Sequence, residues 1–365
     1  MKSTNPELSQ KLEVMAAAQK ERGLLMASPI LRTLFFELTD GCNLRCVHCG
    51  SSCGPEKARF LSLELIKKTL QSVKDNMGTG TTMIVLTGGE PLLHPDFLSI
   101  IKLIDEMGFR FGITTNATLI DKAMAESLRD AHIMSIGFSL DGDKSSHDRF
   151  RGNPHAYSKA IEGMKNFVEV CGKTATTMVT SVIHPGNIDQ LQSLFEECKR
   201  LGVDYFRPIN VEPIGRANAH PELFLDKRGF KTLFDFIKTK RGEGSLPQVT
   251  YGCSHALPLE YELEIREYPF LCMAGLQIAS VLVNGDIYAC LDIERREELV
   301  QGNVGKDDFY SVWEKGFSFF RRERTDVSYC RDCPNKAFCN GDSAHTWNYD
   351  EGRPNLCLRK WFESQ

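Results

Sequence analysis

TLFFELTDGCNLRCVHCG, residues 33 to 50, runs from an apolar stretch directly into three cysteines at positions 42, 46 and 49. A structural zinc site normally takes four ligands, usually as two close pairs. A disulfide framework takes an even count and an oxidising compartment. Three close thiols after a strand suit an iron–sulfur cluster with one iron left open. The competing reading is a zinc loop with Cys53 or His48 as fourth ligand.

The chain on either side of this stretch decides which fold carries the loop. TLFFEL, TMIVLTG, FRFGITTN, MSIGFSLD, TTMVTSVI and VDYFRPIN read as six buried strands between residues 32 and 215. Segments with apolar residues at helical spacing separate them, several ending in Gly. Repeated strand–helix units predict an α/β fold with a parallel sheet and right-handed crossovers. Six units predict a partial (β/α)6 TIM-like barrel, with chemistry at the C-terminal strand ends. The cysteines, GGE at 88–90, TN at 115–116 and SLDG at 139–142 all fall at those ends.

The whole chain sets outer bounds. It has 365 residues and a formal charge of -4, so it lacks the basic surface of a nucleic-acid binder. No apolar run approaches the ~20 residues that cross a bilayer, which predicts no membrane partner. The polar, helix-like residues 1–31 carry no signal-peptide core, and a cytoplasmic location is expected. Residues 216–249 read as a helical bridge. Residues 250–365 read as a small metal-held module with a hairpin, QIASVLVNGDIYAC, turning at Asn284-Gly285. Eleven of the thirteen cysteines fall at 42–53 and 253–357, and this clustering favours metal over disulfides.

C-x3-C-x2-C after a first strand, followed by GGEP at 88–91, resembles the radical S-adenosylmethionine superfamily over residues of about 32 to 215. The resemblance implies that Cys42, Cys46 and Cys49 hold a 4Fe–4S cluster whose open iron chelates S-adenosylmethionine. It also implies that Gly88, Gly89 and the Glu90 side chain meet the methionine ammonium. SLDGDKSSHDRFRG at 139–152 is similar to the family's fourth strand end and following loop. Ser139 is then a candidate ribose contact, Asn116 a second polar contact, and Arg151 a partner for the methionine carboxylate. The alternative for Asp148, Arg149 and Arg151 is a solvated charge run. Ile209 and Val211 are candidates for packing against adenine, or plain core.

The C-terminal cysteines resemble the SPASM module, which carries auxiliary iron–sulfur clusters. The resemblance assigns Cys330, Cys333, Cys339 and Cys357 to an outer cluster, and Cys272, Cys290 and Cys253 to an inner one. The family's remaining cysteine is replaced by Ser343. The inner cluster is therefore expected to be open, incomplete, or completed by Asp342, Ser343 or His345. One or two auxiliary clusters are expected. Cys171 and Cys198 read as packing, and Cys53 as a thiol near the active site. Asp292, two residues after Cys290, is a candidate base for an oxidised substrate radical.

By this resemblance the chain is expected to be a peptide maturase. It would abstract a hydrogen atom from a ribosomally made precursor peptide and leave a crosslinked, rearranged or otherwise modified product. About 30 residues precede the first strand, too few for a leader-binding domain, so a separate leader-binding protein is expected. A flavodoxin or ferredoxin is the expected reductant. The alternative substrate is a small molecule or tetrapyrrole.

Overall fold

The computed structural model describes residues 6–363 except 253, 254, 259 and 326. Six parallel strands form its centre: β1 (Thr33–Glu37), β2 (Met83–Thr87), β3 (Arg110–Thr115), β4 (Ser135–Ser139), β5 (Thr176–Ile183) and β6 (Tyr205–Asn210). They pair in chain order, with Phe36 beside Leu86, Leu86 beside Ile113, and Phe138 beside Val179. This is the sixfold open arc predicted from the alternation of strand and helix patterns.

Side chains along these strands alternate between two environments. Leu34, Phe36, Ile84, Leu86, Phe111, Phe138, Val179 and Phe206 are fully buried in one core with the crossover helices. Burying each such side chain contributes roughly 1.5–3 kcal/mol. The intervening residues, Thr87, Thr114 and Ser139 among them, face the inside of the arc and line a cavity there. The crossovers are α2 (Leu63–Met77), α3 (Phe97–Glu106), α4 (Lys122–Asp130), then α5 (Lys144–Arg151) with α6 (Ala156–Cys171), and α7 (Leu191–Leu201). Cys171 and Cys198 are buried in the core that these helices complete.

Two features differ from the sequence reading. The stretch after β4, read as a loop, contains helix α5. Asp143 caps its first turn by accepting from the Ser146 N–H at 2.8 Å, and Gly152 ends it in the left-handed region. The segment KSSHDRFR is too polar for its helical period to show in an apolar pattern. The predicted hairpin does form, as β8 (Ile278–Val281) and β9 (Asp286–Tyr288), but it is not confined to the metal module. Strand β8 pairs in parallel with β1, Thr33 beside Ile278 and Phe36 beside Val281, so the large sheet continues through it to β10 (Gly302–Asn303). On the other edge β6 pairs with β7 (Gln248–Val249) after helix α8 (Lys227–Glu243). Helix α1 (Pro6–Ala27) packs on the C-terminal region, where Arg22 donates to the Ala337 carbonyl at 2.7 Å. No helix among the described residues is long and apolar enough to cross a membrane.

Candidate cofactor and cluster sites

The cysteine loop is fixed by the strand ends around it. Gly89 and Glu90 donate their N–H groups to the Thr39 and Gly41 carbonyls at 2.7 and 2.9 Å. A Cβ on Gly88 would stand 2.4 Å from the Thr39 carbonyl oxygen, and one on Gly89 2.0 Å from that of Gly41. Only glycine permits this approach. From the far side Arg45 and Val47 donate to the Arg151 and Phe150 carbonyls, both at 3.1 Å, which docks the end of α5 on the loop.

A cavity of about 220 Å³ opens over this loop. Cys42, Cys46, Cys49, Gly88, Gly89, Asn116, Ser139, Arg151 and Asp292, nine of the sequence candidates, share its wall. Cys53 and His48, the alternative zinc ligands, reach the same wall. The His48 ring stacks on Phe150 at 4.2 Å, and burial lowers its pKa to about 3.

The donor set fits an iron–sulfur cluster. The Leu44 N–H approaches Cys42 Sγ at 3.4 Å, the Cys53 N–H approaches Cys49 Sγ at 3.4 Å, and Arg151 Nη1 approaches Cys46 Sγ at 3.6 Å. Such donors favour thiolate over thiol. Burial pushes Cys42 up to about 12 in the metal-free protein. Hydrogen bonds from Cys53, reinforced by the Arg216 charge, bring Cys49 down to about 6.

Two charged candidates have partners that the sequence did not announce. Arg151 is buried and donates from Nε to Asp141 Oδ2 at 2.6 Å, so it does not belong to a solvated charge run. Asp141 is fully buried and also accepts from the Val182 N–H at 2.8 Å. Despite its burial, the Arg151 charge holds its pKa down to about 2. Glu90 lies behind the Gly88–Gly89 turn, outside the cavity wall. Its oxygens accept from Thr115 Oγ1 at 2.7 Å, the Asn116 N–H at 2.8 Å and the Leu92 N–H at 3.3 Å. Burial raises its pKa to about 7. In this geometry Glu90 organises the end of β3, whereas the resemblance had placed its side chain at the cofactor ammonium. Asn116 in turn donates to Asn43 Oδ1 at 2.8 Å and so steadies the cysteine loop.

Two further clefts adjoin the first. One of about 210 Å³ is lined by His48, Ile209, Val211, Glu212 and Asp292. Another, of about 320 Å³, is lined by Gly50, Ile214, Asp292 and Arg295. Asp292 is on the wall of all three clefts. A larger cavity of about 380 Å³ lies at the opposite ends of β5, β6 and β7 and includes none of the sequence candidates.

In the C-terminal region burial raises the thiol pKa of Cys330 and of Cys357, and the neighbouring Cys333 adds to both shifts. Cys339 ends the short helix α10 (Lys336–Cys339), and its Sγ accepts from the Asp342 N–H at 3.1 Å. Cys272 Sγ accepts from the Ala344 N–H at 3.3 Å, which places Ser343 beside the inner cysteines. The donors again suit thiolates. Cys253 lies outside the described residues. The Ser343 hydroxyl pairs with Thr346 Oγ1 at 2.8 Å. Asp342, weighed above as an iron ligand, has its carboxylate engaged by His255, the Ala256 N–H and the Ser343 N–H.

His255 also reaches Glu212 Oε1 at 2.9 Å, forming a buried Glu212–His255–Asp342 chain from the end of β6 to the cysteine region. The two carboxylates raise the His255 pKa to about 10 against the effect of its burial. Sequence reading assigned no role to Asp141, Glu212, His255 or Arg216. The only available signals were Asp141 inside SLDG and the Gly-Arg pair in PIGRAN after β6.

A thiol-lined cavity at the C-terminal strand ends of an open barrel, with a second cysteine region beside it, defines an enzyme class. The chain carries a radical SAM domain, since that superfamily's model matches residues 36–198, and a SPASM model, an iron-sulfur cluster-binding domain, matches 272–334. These domains imply S-adenosylmethionine, a 4Fe–4S cluster and auxiliary iron–sulfur clusters. Among curated proteins the chain is similar to the AdoMet-dependent heme synthase of Methanosarcina barkeri, 26% identical over 90% of this chain and 97% of that one. It is also similar to the mycofactocin maturase MftC of Mycobacterium tuberculosis, 28% identical over 88% and 80%. The fold matches anSMEcpe with bound AdoMet and Kp18Cys peptide, at a TM-score of 0.71 and 19% identity over 92% of this chain and 95% of that one. It also matches Streptococcus suis SuiB bound to S-adenosylmethionine, at 0.66 and 21% over 94% and 79%.

Proposed function

We propose that the protein oxidises a residue of a ribosomally made precursor peptide by radical chemistry. Bound S-adenosylmethionine and the catalytic cluster would supply a carbon-centred radical that removes a hydrogen atom from the substrate. Cys42, Cys46 and Cys49 would hold the cluster, with the Gly88–Gly89 backbone, Asn116, Ser139 and Arg151 around the cofactor. The substrate radical then has one electron and one proton to lose. The electron would go to an auxiliary cluster held by the C-terminal cysteines, and the proton to Asp292.

The position of Asp292 carries this reading. It stands on the cofactor cavity, opens onto both neighbouring clefts, and follows Cys290 by two residues. A base there is within reach of a substrate held between the two metal regions. Open clefts meeting at one carboxylate suit an extended peptide segment. A leader-binding protein would present the peptide, and a flavodoxin or ferredoxin would supply the initiating electron.

Similarity to the heme synthases over nearly the whole chain favours a second substrate class, a tetrapyrrole. Incubating the reconstituted enzyme with precursor peptides encoded beside its gene, and separately with carboxylated tetrapyrroles, separates the two. Mass change in a peptide, matched to 5′-deoxyadenosine, is the expected result. Turnover of the tetrapyrrole alone would overturn the peptide reading. Asp292→Asn should lower product formation about 10²–10⁴-fold while 5′-deoxyadenosine still forms. Unchanged product formation would remove Asp292 from the chemistry.

A further inference from the structure

We infer that Arg216 tunes the catalytic cluster, clamping the three-cysteine loop by its carbonyls and holding a fixed positive charge against it. The inference rests on the cluster that the radical SAM domain implies. Arg216 follows β6 on a short turn, Gly215–Ala219. Its Nε donates to the Cys46 carbonyl at 2.8 Å, and its main-chain N–H donates to the Cys49 carbonyl at 3.0 Å. The segment is built for this contact. Gly215 is in the left-handed region at φ 58°, and a Cβ there would stand 2.1 Å from the Gly50 oxygen and 2.5 Å from that of Cys49. Across the same seam, a Cβ on Gly50 would meet Ile214 at 3.1 Å.

The charge on this clamp meets the Glu56 carboxylate only at a distance. Arg151, the other arginine on the cavity wall, is paired with buried Asp141. Arg216 has no carboxylate within ion-pair distance among the described residues, and its Nη2 is buried without a hydrogen-bond partner. A guanidinium stays charged at any working pH, so its field does not titrate away. A thiolate-bound cluster becomes more negative on reduction. A fixed cation beside it therefore stabilises the reduced state and raises the potential. Arg216 is a positioning residue for the loop and an electrostatic one for the cluster, with no claim on the substrate.

The test is a redox titration of the reconstituted full-length enzyme, without S-adenosylmethionine or substrate. It follows the EPR signal that a Cys42/Cys46/Cys49→Ala variant lacks, with iron counted in parallel. Arg216→Gln keeps a donor for the Cys46 carbonyl and removes the charge. It should retain its iron and shift the midpoint to a more negative potential. Full iron with an unchanged midpoint would overturn the inference. If Arg216→Gln loses the catalytic cluster, Arg216→Lys decides. That variant keeps the charge and should hold its midpoint near the parent value. A lowered midpoint in Arg216→Lys would overturn the electrostatic role.

Discussion

Around Cys42, Cys46 and Cys49 the thiols lie within eight positions of one loop, and charged groups frame it: Glu90 after β2, Asp141 after β4, Arg151 on α5 and Arg216 after β6. Around Cys272, Cys290, Cys330, Cys333, Cys339 and Cys357 the thiols come from segments far apart in sequence, carried by turns and helices of a few residues. Both regions aim N–H groups at sulfur. Cys42 and Cys49 accept from Leu44 and Cys53, and Cys272 and Cys339 from Ala344 and Asp342. They differ in what fixes the backbone. The first loop is bonded to a parallel sheet with an extensive hydrophobic core. In the second region Cys272 and Cys290 flank the β8–β9 hairpin. The described residues around Cys330, Cys333, Cys339 and Cys357 form short helices and the two-residue strands β11 (Trp347–Asn348) and β12 (Arg353–Pro354), joined to β6 by the Glu212–His255–Asp342 chain. Metal binding there is coupled to folding more tightly than at the first loop.

The largest test of that contrast removes the first set of ligands altogether. Changing Cys42, Cys46 and Cys49 together to Ala should abolish 5′-deoxyadenosine formation and leave the C-terminal iron in place, because the sheet is held by its own hydrophobic core. Iron falling to zero in that variant would show that the two regions do not load independently.

A smaller effect is expected at the pair that frames the first loop. Asp141→Asn strands the buried Arg151 guanidinium beside Cys46 and should cost about 3–5 kcal/mol, since it breaks a buried ion pair from one side. The cofactor dissociation constant should rise with it. Because Arg151 depresses the Asp141 pKa from 3.8 to about 2, the carboxylate contributes its full stabilisation above pH 4. That contribution fades only as pH falls from 3.8 toward 2. Parent and variant should therefore differ by a constant amount in melting temperature between pH 6 and 8. A gap that changes across that range would assign the pair a different titration.

The same contrast explains what could be read beforehand. The six strands, their order and the cysteine loop were legible because each is a local signal: apolar runs at strand length, helical spacing between them, and a tight Cys pattern. Helix α5 was missed because KSSHDRFR has no apolar stripe, although Asp143 and Gly152 mark its two ends. The pairing of β8 with β1 joins residue 278 to residue 33, and no local periodicity reports it. The contact of Arg216 with Cys46 likewise joins distant parts of the chain, and that of Asp141 with Arg151 depends on helix α5. Glu90 shows the reverse limit. Its motif was plain, yet its side chain turns away from the cavity to hold Thr115 and Asn116.

The smallest expected effect tests the inner cysteine set, at Ser343, where the SPASM resemblance would place a cysteine. Ser343 is fully buried, its hydroxyl pairs with Thr346, and the next N–H is bound to Cys272. Replacing that hydroxyl with a thiol loses one hydrogen bond, about 1 kcal/mol. Thr346 retains a second acceptor in the Ser343 carbonyl at 3.3 Å, so the fold should tolerate the change. Thiolate is a better iron ligand than a hydroxyl. If the inner cluster has an open iron, Ser343→Cys closes it. Iron per chain should then hold or rise, the auxiliary-cluster spectrum should change, and substrate modification should slow while cofactor cleavage continues. An unchanged spectrum with the parent rate of modification would make Ser343 an ordinary buried serine. The second region would then differ from the first both in how it is built and in leaving no iron open at Ser343.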